Sequence, residues 1–168
     1  MIHVCSLADL HDTVAATGAR HVLTVMGKIS AVQRPPSILA ANHLMISMDD
    51  ITEPAEGFVA PAREHIDQVL AFARGWDRAA PLVIHCFAGI SRSTASAFTV
   101  ACALNPHRDE MTIARQIRAA SPCAYPNRRI VMLADQVLAR NGRMVAALDA
   151  IGPGDMSVSG RPFRVDLD

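Results

Sequence analysis

The stretch His85-Cys86-Phe87-Ala88-Gly89-Ile90-Ser91-Arg92-Ser93 holds the residue types best suited to chemistry. It joins a short apolar run, Leu82 to His85, to a segment rich in Ala, Ser and Thr. The run reads as a buried strand and the segment as a helix. A strand, a small-residue turn and a helix N-terminus together make an anion cradle. Successive backbone N–H groups converge in such a turn. The helix adds unpaired N–H groups and its positive end. Gly89 permits a backbone angle that a larger residue resists. Arg92 offers a two-pronged, charge-assisted contact to phosphate oxygens. The same field acts on a thiol, because helix N-termini and cations can lower a cysteine from ~8.5 to ~3.5–7.5. Cys86 is therefore expected to be a thiolate facing a bound phosphate, a nucleophile in position. An ordinary buried turn gains nothing from Arg92 unless an anion faces it.

The elements around this loop must carry it. Ile2 to Cys5 reads as a buried strand. Ser6 to Asp9 resembles a capping box with Asp in place of Glu or Gln, opening a helix to Thr17 that stops at Gly18. His21 to Met26 reads as a second strand. Gly27 to Ser37, with Pro35-Pro36, reads as loop. A third strand is expected near His43 to Ser47, with Asp49 and Asp50 at its end. Pro61 suits the first turn of a helix to about Arg78, in which Ile66, Val69, Leu70 and Ala73 share a face. A helix follows the cradle from Ser91 to Leu104, and another runs from Asp109 to Ala120. Asn127 can cap a last long helix through Leu138 and past Gly142 to Ile151. The expected fold class is α/β: a mostly parallel central sheet of four to five strands flanked by helices. Parallel sheets bind ligands at the carboxyl ends of their strands, where Asp49, Asp50 and Cys86 all fall. Residues 1–151 are read as one domain and 152–168 as a loosely held tail.

The whole chain narrows the function classes. Its 168 residues suffice for one hydrophobic core. The formal net charge is zero, so bulk attraction to nucleic acid is not expected. No apolar run approaches the ~20 residues of a membrane span, and no signal or transit segment is evident. Four cysteines, Cys5, Cys86, Cys102 and Cys123, lie far apart with no C-x-x-C pair. That argues against disulfide frameworks and four-cysteine zinc sites, and for a reducing, cytoplasmic setting. Cys5 and Cys102 are expected in the core. No metal or other cofactor is called for, and oligomeric state is left open.

The loop also resembles the signature of protein tyrosine and dual-specificity phosphatases, H-C-x5-R-[S/T]. It matches at Cys86 and Arg92, with His85 before and Ser93 after. Ala88 to Ser93 resembles the dual-specificity branch most. The resemblance implies the α/β fold already read from the pattern. It implies a phosphocysteine on Cys86, with Phe87, Ala88, Gly89, Ile90, Ser91 and Arg92 around the phosphoryl group. It implies that Ser93 assists the departing sulfur and that His85 orients the loop by hydrogen bonds. It also implies a loop carboxyl as proton donor and later as base. Asp50, which precedes Cys86 by 36 positions, is the favoured candidate; Asp49 is second, with Glu53 and Glu56 as outsiders. Asn127 in Tyr125-Pro126-Asn127 matches a Pro-Asn motif that braces the family's site, although a helix cap explains it as well. Arg128 and Arg129 are candidates to touch an anionic substrate.

The loop interior lacks Lys, which disfavours polyanionic lipid headgroups. The expected substrate is phosphotyrosine, with phosphoserine or phosphothreonine also open, on a protein or as a small phosphate ester. The rival readings are a catalytically silent phosphate- or phosphopeptide-binding module and another thiolate enzyme, such as a sulfurtransferase or arsenate reductase.

Overall fold

The computed structural model describes residues 1–167. Five strands form one sheet: β1 (Ile2–Cys5), β2 (His21–Val25), β3 (His43–Ile46), β4 (Leu82–His85) and β5 (Phe163–Val165). Their order is β3-β2-β4-β1-β5. The first four are mutually parallel, and β5 runs antiparallel to β1. β4 is thus the central strand, and every one of its residues is buried. A parallel strand covered on both faces needs a continuous apolar run, which Leu82-Val-Ile supplies.

Pleat alternation sorts the sheet into two faces. Ile2, Val4, Leu23, Val25, Leu82 and Ile84 join the larger core. Cys5, Val22 and Val83 face the other way, against Leu10 and Val14 of α1 (Leu10–Thr17). The larger core is covered by α2 (Arg63–Gly75), α3 (Arg92–Leu104), α4 (Glu110–Ala120), α5 (Arg128–Val137) and α6 (Arg143–Ile151). α3 lies in its middle and is buried without a break from Ser93 to Cys102. A helix enclosed on every side must be slim, hence its Ala, Ser and Thr composition; Thr99 satisfies its hydroxyl on the Ala95 carbonyl at 2.9 Å.

Several expectations hold in detail. Ser6 Oγ accepts from Asp9 N at 3.2 Å, half of the expected box, and donates to Asp9 Oδ2 at 2.6 Å, although α1 itself begins later, at Leu10. Gly18 ends α1 in the left-handed region, with φ 65°. Asn127 Oδ1 accepts from Ile130 N at the start of α5. Three expectations need correction. The long last helix is two helices. The chain turns through positive φ at Ala139, Asn141 and Gly142. Asp135 then accepts from Gly142 N at 2.7 Å and Met144 N at 2.8 Å, so a side chain of α5 caps α6. Residues 152–168 are not a loose tail throughout. Phe163 and Val165 are buried and pair with β1 as an edge strand. The helix expected over residues 61–78 is shorter, ending where Trp76 turns extended and Arg78 takes φ 59°.

Among the described residues, no helix is long and apolar enough to cross a membrane.

Candidate active site

Parallel strands bring their carboxyl ends to one edge, so the chain leaving β4 at Cys86 meets the chain leaving β3 at Asp49-Asp50. From Cys86 the backbone turns through Gly89, whose φ is 73°, into α3. A Cβ at Gly89 would lie 2.8 Å from the Cys5 carbonyl carbon and the Ser6 nitrogen. Glycine is required there by angle and by space alike.

Cys86 is almost fully buried, at 1% exposure. Its sulfur lies 3.1 Å from Ser93 Oγ, and Gly89 N–H points to it at 3.3 Å. Sulfur, hydroxyl and amide donor are therefore contiguous. Ser91, at the N-cap of α3, makes no side-chain cap bond. Its hydroxyl donates instead to Asp50 Oδ1 at 2.7 Å. Thr94 holds the turn from within, donating to the carbonyls of Ile90 and Ser91. Tyr125 N and Asn127 N donate to those same two carbonyls, tying the segment before α5 to the cradle.

Arg92 is largely buried, with 11% of its side chain exposed. Nη1 donates to the Met48 carbonyl at 2.9 Å, and Nε faces Asp50 Oδ2 at 3.8 Å without a hydrogen bond of its own. A buried guanidinium N–H without an acceptor is costly. It is also the donor that a phosphate oxygen would satisfy.

The two aspartates have different surroundings. Asp49 Oδ2 accepts from Val59 N at 2.8 Å, Asp49 N donates to Val59 O at 2.7 Å, and its carboxylate abuts Gly27. It closes its own loop. Asp50 is held by Ser91 Oγ, by Asn127 Nδ2 at 2.8 Å and by the charge of Arg92. Asp50 thus faces the cradle, and Asn127 both caps α5 and braces this carboxylate. Asp50 and Glu53 also line an adjacent cleft of about 770 Å³, together with Tyr125, Leu148 and Pro153. Glu56 is exposed in the same loop.

His85 is fully buried beneath the loop. Nδ1 faces the Cys86 carbonyl at 3.3 Å and Nε2 faces Thr24 Oγ1 at 2.7 Å. A carbonyl only accepts, so Nδ1 carries the proton and Nε2 accepts from Thr24. His43 Nε2 in turn donates to Thr24 Oγ1 at 2.8 Å. Desolvation lowers His85 to about 4, so the ring is neutral and holds the loop rather than carrying charge. Thr24 was invisible in the sequence. It is level with His85 across β2 and β4, but only the strand order reveals that.

Arg128 pairs with Asp149 on the surface. Arg129 Nε donates to Pro61 O at 2.6 Å, anchoring the loop that follows Asp50. Phe87 is exposed at the loop's tip, whereas Ile90 is half-buried. Cys5 and Cys102 are buried as expected, and burial pushes both thiols up to about 12.

No protein-family model and no curated protein matches the chain. Solved structures do match its fold. The Cydia pomonella PTP-2 phosphatase aligns with a TM-score of 0.63 at 15% identity, over 80% of this chain and 84% of that one. DUSP15 aligns at 0.63 and 17% identity, over 89% of each chain. The human tyrosine phosphatase-like serine/threonine/tyrosine-interacting protein aligns at 0.63 and 17% identity, over 83% of this chain and 92% of that one. The chain has the fold of the dual-specificity phosphatases.

Proposed function

We propose that the protein is a metal-independent phosphatase that hydrolyses phosphate monoesters through a phosphocysteine on Cys86. The carrying observation is the sulfur of Cys86 at the end of the central strand, with Ser93 Oγ at 3.1 Å and Gly89 N–H at 3.3 Å. Arg92 opens the helix that follows this loop, and its Nε faces Asp50 Oδ2 at 3.8 Å.

In the first step the thiolate attacks phosphorus, a P–S bond forms and the P–O bond to the leaving group breaks. Asp50 gives its proton to the departing oxygen. In the second step water attacks phosphorus and passes a proton to Asp50, and the P–S bond breaks. Phosphate leaves and the thiolate returns. Ser93 donates a hydrogen bond to the sulfur as charge returns to it. Arg92 binds the equatorial phosphoryl oxygens in both steps, exchanging its present contacts with Met48 and Asp50 for the anion. The Arg92 Nε without an acceptor supports that exchange.

The substrate is phosphotyrosine in a protein, with phosphoserine and phosphothreonine as further candidates. The cleft beside Asp50 supports this choice, because Tyr125, Leu148 and Pro153 in its lining offer apolar surface suited to an aromatic leaving group. Glu53, which also lines the cleft, disfavours polyanions, whereas the Asp149 charge there is offset by its partner Arg128. Free thiols at all four cysteines are compatible with a cytoplasmic protein.

Purified protein is expected to turn over p-nitrophenyl phosphate in the presence of EDTA. Cys86→Ser is expected to lose turnover and keep vanadate binding. Phosphopeptide binding by a wild-type protein without turnover would instead identify a silent binding module.

A further inference from the structure

The peptide unit between Ala88 and Gly89 has one end on the sulfur and the other on the C-terminal segment. Its N–H points to Cys86 Sγ at 3.3 Å. Its carbonyl accepts from Gly160 N at 2.8 Å and from Ser159 Oγ at 3.3 Å. A planar trans peptide directs its C=O and N–H in opposite directions, and this chain has no cis peptide among its described residues. Whatever holds the carbonyl therefore aims the amide. Gly89 cannot do this by itself, because glycine tolerates either sign of φ and so offers little resistance to a peptide flip. A flipped peptide would turn a carbonyl toward the sulfur and repel an anion there.

We infer that residues 152–162 form a strap that locks this peptide, with Ser159 and Gly160 as positioning residues for the sulfur-facing amide. The inference rests on the phosphatase reading given above. The strap is pinned at both ends. At its start the Arg118 guanidinium donates to the carbonyls of Ile151, Gly152 and Pro153 at 2.8, 2.9 and 3.0 Å, and to Ala124 at 2.7 Å. Asp155 N donates to Pro122 O at 2.9 Å. At its end the chain enters β5 and pairs with β1. β1 ends at Cys5, and the Cys5–Ser6 peptide lies against Gly89 where a Cβ would stand. The Ala88–Gly89 peptide is thus clasped between the chain following the first strand and the chain preceding the last. Gly160 is buried although its neighbours on both sides are exposed. A Cβ there would lie 3.0 Å from the Gly89 carbonyl oxygen, so only glycine approaches closely without displacing its neighbour.

The decisive variant removes one hydrogen-bond donor with little change of shape. Ligation of a synthetic C-terminal segment at Cys123 allows Gly160→glycolic acid, an ester oxygen in place of the N–H. The readouts are kcat and KM for p-nitrophenyl phosphate, vanadate affinity by calorimetry, and melting temperature. The expected result is a fall of about 10-fold or more in kcat and in vanadate affinity, with the fold retained. Ser159→Ala, which alters only an exposed hydroxyl, is expected to show a smaller fall in the same direction. Unchanged kcat and vanadate affinity in the ester variant overturn the inference. If that variant does not fold, Ser159→Ala decides, and an unchanged kcat overturns it. A wild-type protein that neither turns over substrate nor binds vanadate would overturn the phosphatase reading itself; a competent wild type with an equally competent ester variant would overturn only the strap.

Discussion

Asp49 and Asp50 are adjacent in the chain, but they turn their carboxylates to different partners. Asp49 is spent on the Val59 backbone, while Asp50 meets Ser91, Asn127 and Arg92. Asp50→Asn is accordingly expected to lower kcat by roughly 10²–10⁴. The asparagine variant has no proton to give the departing oxygen, so the loss should be greatest for esters with a poor leaving group; Asp49→Asn should stay near wild type on them. His85 gives a second prediction, on stability. Its folded value of about 4 lies below the ordinary 6.5 because the ring is desolvated. Between those values the unfolded chain takes up a proton that the folded chain refuses. Stability therefore declines as pH falls from about 6.5 to about 4, by roughly 3 kcal/mol in all. Urea unfolding of His85→Gln across that window should show a shallower pH slope, and an equal slope would contradict the assignment. The sequence exposed Cys86, Arg92 and Ser93 through spacing, but it left the two aspartates unresolved. Only the packing of the loop after β3 against α3 and α5 separates them.

At the scale of elements, most boundaries were legible because each carries its own local chemistry. Asn127 caps α5, Asp109 caps α4 by accepting from Thr112 N at 2.9 Å, and Gly18 ends α1. The break between α5 and α6 was not legible. Residues 138–141, Leu-Ala-Arg-Asn, suit a helix on propensity alone. What breaks the helix is tertiary. Arg140 turns inward to Glu110 at 3.0 Å and the Cys102 carbonyl at 2.6 Å, while Asp135 captures the first amides of α6. Asp135→Ala should cost about 1–2 kcal/mol, read as a lower urea midpoint with turnover largely preserved. A change below a few tenths of a kcal/mol would show that α6 needs no such cap.

At the scale of the molecule, the parallel order β3-β2-β4-β1 explains why distant residues converge. The sequence predicted that architecture from alternating strands and helices. It could not predict β5, because three residues after a Gly- and Pro-containing segment give too short a pattern to read. Yet Phe163 and Val165 reach the larger core. Each such burial stabilises by roughly 1.5–3 kcal/mol, against a typical domain total of about 5–15 kcal/mol. A chain ending at Ile151 should therefore lose much of its stability, seen as a large fall in urea midpoint or in soluble yield. A truncated chain as stable as the full one would return this segment to the status of a tail.

The account depends on a covalent bond between phosphorus and the sulfur of Cys86. Rapid quenching in alkaline detergent during turnover of a radiolabelled phosphate ester, followed by peptide mapping, tests it directly. The expected result is label on the peptide containing Cys86, absent from Cys86→Ser. Turnover with no labelled cysteine, or label retained in that variant, would contradict the mechanism.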